Sequence, residues 1–137
     1  MSKPMGRVHS VTIHHSASPL WTTFDDIDKW HKDRGWDGCG YHFIVEKGGN
    51  IVSGRPISIE GAHVKSKNSG NIGVCVVGNN TSSAKEQHWT RAQKASLRFL
   101  CSTLQLIFNL DDSCVFNHSD WDSANTECPG VDISSIF

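Results

Sequence analysis

A mixed α/β fold, with a central mixed β-sheet flanked by helices, is what this sequence predicts. Three observations predict it: a β-branched run at 8–15, a strand–turn–strand pattern over 41–53, and an unbroken apolar run at 72–78. Two segments with helical spacing separate and follow these runs, which is the alternation expected of helices packed on a sheet.

The elements follow in order. Residues 8–15 (VHSVTIHH) read as a first strand, rich in β-branched side chains. Residues 22–26 (TTFDD) look like a helix start, since threonine can cap and aspartate favours the positive helix N-terminus. Phe24, Ile27, Trp30 and His31 recur at helical spacing, and Gly35 is a natural stop. Residues 41–46 (YHFIVE) form a second strand, and the turn signal KGGN at 47–50 leads into a third at 51–53. The polar, glycine-containing stretch 54–71 is mostly loop. Residues 72–78 (IGVCVVG) lack alternation, so a strand covered on both faces is expected. TRAQ at 90–93 matches a capping box and opens the best helix of the chain. Leu97, Leu100, Cys101, Leu104, Ile107 and Phe108 make its apolar stripe, and 109–113 end it. A short strand at 114–117 then presents His118.

Composition narrows the function classes. The chain has 137 residues, 37% of them hydrophobic and 20% charged, as a soluble domain does, and residues 1–137 read as one domain. A net charge of −1 provides no electrostatic reason for a nucleic-acid partner or for attraction to an anionic surface. The first ten residues are followed by no apolar stretch of the secretory kind, and the longest apolar run is too short to cross a membrane. Five cysteines, at 39, 75, 101, 114 and 128, are then expected as reduced thiols, with Cys75 and Cys101 acting as small buried hydrophobes.

The residues with the most chemistry lie at the two ends of the chain. VTIHHSAS carries His14 and His15, and FNHSDWDSANTECPG carries His118 and Cys128. Neutral imidazole and thiolate are ligands that zinc prefers, and three such ligands leave a fourth position open, as in catalytic sites. Neighbouring strand residues point to opposite faces, so His14 and His15 do not share one metal. Alternation alone does not choose between them, although Val11, Ile13 and His15 have the same parity, which suggests an apolar face under His15 and a cleft before His14. A pair of buried, hydrogen-bonded histidines is the alternative that the residues alone leave open.

The blocks VTIHHSAS, GYHFIVEKGGNIVSGR, EGAHVKSKNSGNIGVCVVGN, WTRAQKASLRFL and NTECPG stand in an order that resembles the zinc N-acetylmuramoyl-L-alanine amidases. The likeness is to the type-2 amidase family, which includes phage amidase-type lysozymes and peptidoglycan recognition proteins, and it covers nearly the whole chain. The resemblance implies that family's fold, one catalytic zinc ion bound by His14, His118 and Cys128, and Tyr41 and Thr126 as catalytic partners. His63, in GAHVKSKN, is implied as a substrate contact, with a surface-loop histidine as the alternative. His42 is expected to be structural. Trp21, Trp36 and Trp121 are candidates for a sugar groove or for packing, and Asp120 and Asp122 for orienting a ligand or for a solvated loop.

The activity implied is hydrolysis of the amide between N-acetylmuramic acid and L-alanine of peptidoglycan, by an endolysin of a phage or prophage. Such a protein is expected to be a monomer, made in the cytoplasm and reaching the wall after a holin opens the membrane. A non-catalytic peptidoglycan-binding module, a muropeptide-recycling amidase and an antibacterial effector are the alternatives; the binding module commonly lacks the cysteine that Cys128 supplies here. RNA polymerase binding, known among some phage relatives, has no identifying patch in this sequence. One departure stands out: the interval from His118 to Cys128 is a couple of residues longer than in many phage amidases, which bears on where Thr126 sits.

Overall fold

The computed structural model describes residues 3–137. Its strands are β1 (Ser10–His15), β2 (Phe43–Val45), β3 (Ile51–Ser53), β4 (Asn71–Val76) and β5 (Val115–Asn117); its helices are α1 (Phe24–Asp33) and α2 (Arg91–Phe108). Short 3-10 turns cover Asp112–Cys114, His118–Asp120 and Ile133–Ser135. The sheet order is β3-β2-β4-β1-β5, with β3 antiparallel to β2 and the remaining pairs parallel. This is the mixed sheet expected.

Every residue of β1 and β4 is buried, because each lies between two strands and is covered on both faces, on one by α2 and on the other by α1 or by the loops that carry His63 and Trp121. Alternation divides the sheet. Val11, Ile13, Ile72, Val74 and Val76 pack with Leu97, Leu100, Cys101 and Leu104 of α2 in the larger core. On the opposite face Ile44, Cys75 and Val77 pack with Ile27 of α1, and Phe24 and Tyr41 border them. Three layers result: α1, the sheet and α2.

Both helices begin on the caps that were read in the sequence. Thr23 caps α1 reciprocally with Asp26, and Glu46 at the end of β2 accepts a hydrogen bond from Phe24 N–H at 2.7 Å, tying helix to sheet. Thr90 and Gln93 form the capping box of α2. Gln93 also reaches into the sheet: it is fully buried, and its amide donates to the carbonyls of Val45 (3.2 Å) and Val77 (2.7 Å) at two strand ends.

Some boundaries differ from expectation. The second strand starts at Phe43, not Tyr41, because the His42 ring takes over a ladder position: Gly73 N–H donates to His42 Nδ1 at 3.0 Å. The first strand starts at Ser10, and Cys114 belongs to a 3-10 turn before β5. Ile107 does not join the apolar stripe of α2; it is 63% exposed, while Phe108 packs against the core. The stripe 97, 101, 104, 108 already fills one face, and Ile107 lies about 100° around the helix from Phe108. Trp30 likewise turns outward from α1, leaving Phe24, Ile27 and His31 to face the sheet. All five thiols are free, and no helix among the described residues is long and apolar enough to cross a membrane.

Two expectations follow for stability. Gln93→Ala leaves two buried carbonyls and the Thr90 N–H without their partner, and should cost about 2–4 kcal/mol in urea denaturation. His31 is buried at the end of α1, and its Nδ1 accepts from Gly40 N–H at 2.8 Å. Burial, with smaller contributions from Arg34 and Arg55, lowers its pKa from 6.5 to about 4. The unfolded chain therefore takes up this proton first as pH falls. His31's contribution is fully present above 6.5 and is lost progressively toward 4. The urea midpoint of the metal-free protein should fall between about pH 7 and about pH 5, and His31→Asn, which keeps an acceptor for Gly40, should flatten the slope.

Candidate metal centre

The carboxyl ends of the parallel strands meet on the α1 side of the sheet, the edge where open α/β sheets place their ligands. β1 lies between β4 and β5, with Ile13 paired to Asn117. The next residue along each strand is a histidine, so the register alone sets His14 beside His118. Their ring centroids are 4.5 Å apart. His118 opens the 3-10 turn after β5, and the Asp120 carboxylate clamps that turn by accepting from Asn117 N–H at 2.8 Å. Asp120 thus holds the backbone under His118, while Asp122 is exposed in the loop beyond.

Cys128 comes from the far end of that loop. Ser119 N–H donates to Cys128 O at 2.9 Å and closes the loop at its base. The loop between them faces solvent, with Asp122, Ser123, Asn125, Thr126 and Glu127 exposed. The sulfur itself is buried and accepts from His15 N–H at 3.3 Å.

The ligand atoms of His14, His118 and Cys128 all lie within 4.8 Å of one another, the one such group among the described residues. His15 is not part of it; its Nδ1 accepts from Asn80 N–H at 3.1 Å, so the second histidine of the pair braces the 79–81 turn. Burial lowers the pKa of His14 well below 6.5, helped by His63, His118 and His15, and burial likewise lowers His118. Both rings are therefore neutral and able to offer a lone pair. Burial pushes the Cys128 thiol up to about 12, with the His15 N–H opposing it. A divalent cation here would displace that proton. Two neutral imidazoles and one thiol, with His118 half-exposed on one side, fit the donor set of an open zinc site.

Tyr41 stands against this cluster, its ring centroid 5.0 Å from that of His14. It is held from several directions. Arg55 N–H donates to Tyr41 O at 2.9 Å, and Ala62 N–H donates to Gly40 O at 3.0 Å. The latter approach requires glycine at 40, where a Cβ would come within 2.4 Å of Ala62 O. Burial raises the phenol pKa well above 10, so Tyr41 stays protonated and acts as a donor. Thr126 sits on the rim, exposed, with its hydroxyl oxygen accepting from Cys128 N–H at 3.1 Å. Its own proton is left for another acceptor.

His63 lies beside His14 on the floor of the site, with both ring nitrogens in hydrogen bonds: Nδ1 with His14 Nε2 at 3.0 Å and Nε2 with Asn71 O at 2.9 Å. A direct substrate contact would need one of these bonds to open. His42 is structural as expected, bonded to Gly73 N–H and to Ile59 O at 2.8 Å. Trp121 packs on Phe116 and donates to Thr12 Oγ1 at 2.9 Å, whereas Trp21 is 70% exposed. Trp36 packs against His31 with the rings tilted and lines a cavity of about 590 Å³ with Asp28, Cys39, Arg55 and Glu60. That cavity adjoins the loop carrying Tyr41 and includes none of the three clustered ligands. The supporting role of Asn80 had no sequence signal, since it belongs to no motif, and helical spacing set His31 on the inner face of α1 without indicating its bond to Gly40.

Comparison with known proteins places the chain in a family. The N-acetylmuramoyl-L-alanine amidase family model matches residues 4–131. An endolysin of Enterobacteria phage T3 is 34% identical over 134 residues, covering 96% of this chain and 86% of that protein. An endolysin of Klebsiella phage KP32 is 36% identical, covering 90% of this chain and 81% of its own. Among solved structures, the N-acetylmuramoyl-L-alanine amidase LysC from Clostridium intestinale superposes with a TM-score of 0.86 at 32% identity, over 99% of this chain and 87% of that one. By sequence over nearly its whole length, and by a sheet whose strand ends gather two histidines and a cysteine, this chain belongs to the N-acetylmuramoyl-L-alanine amidase family.

Proposed function

We propose that this amidase cleaves the bond between N-acetylmuramic acid and L-alanine of peptidoglycan with one zinc ion held by His14, His118 and Cys128. The observation that carries the proposal is the convergence of their three ligand atoms within 4.8 Å at the carboxyl ends of β1 and β5. A zinc ion in such a site makes a water more acidic and polarises the carbonyl under attack. The chain's own residues supply the rest. Tyr41, kept protonated by burial, donates a hydrogen bond to the amide oxygen as it gains negative charge. Thr126, oriented by the Cys128 N–H, offers its hydroxyl proton as a second donor. Ser119 and Cys128, joined at the base of the loop, fix the distance between the two C-terminal ligands.

The setting we propose is host lysis by an endolysin, with residues 1–137 acting as one monomeric catalytic domain. The endolysins among its relatives support this reading. Synthesis inside the cell would be followed by passage to the wall through a membrane opened by a holin. The near-neutral charge is consistent with peptidoglycan as partner and offers nucleic acid no electrostatic footing.

Digestion of purified sacculi should release stem peptides with free L-alanine amino termini and leave glycan strands intact; new reducing sugar ends would overturn the assigned bond. Chelation should abolish the activity and added zinc restore it. Cys128→Ser should sharply weaken zinc binding, and unchanged zinc content and turnover would rule out the ligand set. Tyr41→Phe should retain zinc while lowering kcat about 100- to 1000-fold, as loss of an oxyanion donor does.

A further inference from the structure

We infer that His63 is a positioning residue: it holds His14 as the tautomer protonated on Nε2, so that Nδ1 is the nitrogen His14 presents to the metal. This rests on the metal centre proposed above, and it adds a residue whose function there is to orient a ligand.

The argument starts from an atom with no choice. The carbonyl oxygen of Asn71 can only accept, and it lies 2.9 Å from His63 Nε2, so that nitrogen carries the proton. A neutral His63 then has an acceptor at Nδ1. His14 Nε2, 3.0 Å away, must be the donor. His14 is 1% exposed, and an imidazole binds a metal as the neutral ring, so its single ring proton is committed to this bond and the Nδ1 lone pair is free. The hydrogen bonds run one way, from His14 through His63 to the backbone of β4.

The anchor is rigid. Asn71 is wholly buried in β4; its side chain accepts from Thr12 Oγ1 at 2.8 Å and donates to Lys67 O at 2.9 Å. The His63 ring has a seat built for it. Gly73 interrupts an otherwise bulky central strand, and a Cβ there would lie 2.6 Å from His63 Cγ and 2.8 Å from Nδ1. At Gly61 a Cβ would lie 2.7 Å from the ring's Cδ2. The His42 ring meets that of His63 edge-on at 5.8 Å. A metal-ligating histidine whose other nitrogen is held this way keeps both ring orientation and basicity, and loss of such a partner commonly costs about 10- to 100-fold in metal affinity.

The test uses the whole protein with isotope-labelled histidines. In the metal-free state the imidazole nitrogen shifts should show His14 and His63 each protonated on Nε2, and zinc should move the His14 Nδ1 resonance. Zinc affinity, measured by competition with a chelator, should fall about 10- to 100-fold in His63→Leu. His63→Asn, whose Oδ1 takes the place of the Nδ1 acceptor, should recover most of that loss. A proton on His14 Nδ1, or equal affinities for the wild type and a folded His63→Leu, would overturn the inference while leaving the metal centre standing. Should the leucine variant not fold, the wild-type tautomers decide the matter alone. A wild-type protein that takes up no zinc would overturn the metal centre itself, and this inference with it.

Discussion

Parallel pairing of β1 with β4 on one side and β5 on the other is the constraint from which the rest of this structure follows. Parallel strands present their carboxyl ends at one edge, and residues more than a hundred positions apart in sequence reach that edge together. Ile13 and Asn117 are paired, so the histidines that follow them become neighbours without any special loop. A slip of one residue in β1 would exchange His14 for His15 and turn the imidazole into the apolar layer under α2. That layer enforces the register, because Val11, Ile13, Val74 and Val76 can be buried against Leu97 and Leu104 in only one alignment. Hydrophobic packing on one face of the sheet thereby sets the chemistry on the other.

The polar face obeys a second constraint. Buried imidazoles are costly unless their nitrogens are satisfied, and here nearly every one is assigned. His15 receives Asn80 N–H, His31 receives Gly40 N–H, and His42 bridges Gly73 and Ile59. His63 spans His14 and Asn71. These bonds use backbone groups that would otherwise belong to strands or turns, which is why β2 begins late and why glycine recurs at 40 and 73. The same burial that makes the rings neutral makes them competent as ligands, so stability and metal chemistry draw on one physical effect. The thiol of Cys128 is the exception. Burial keeps it protonated until a cation competes, with the His15 N–H already in place to receive negative charge on sulfur.

Much of the architecture was legible because it rests on local rules. The caps at Thr23 and Thr90, the KGGN turn and the doubly covered strand are each consequences of side-chain chemistry over a few residues; the caps and the turn stand where expected, and the strand expected over 72–78 runs from Asn71 to Val76. The errors are at edges where a tertiary neighbour intervenes. The His42 ring replaced a ladder partner, and Phe108 took the core position that periodicity offered equally to Ile107. In the site, parity along β1 left both His14 and His15 open and the family resemblance named His14; the structure brings His14, His118 and Cys128 together. The placement of His63 was not legible, since a histidine in a polar loop carries no local sign that a glycine in a distant strand has made room for its ring.

By itself, then, the sequence determined the elements, their caps, the three-layer class and the set of side chains able to bind a metal. Those follow from periodicity, capping chemistry and donor type, all properties of short stretches of chain. Only the tertiary structure decided which nitrogen of each histidine is occupied, how the 118–128 loop closes through Ser119 and Cys128, and which tryptophans are spent on packing. Hydrogen-bond partners here lie 49 residues apart for His14 and His63 and 113 for His15 and Cys128. Such pairings arise when packing brings distant segments to one place, and no local rule encodes them.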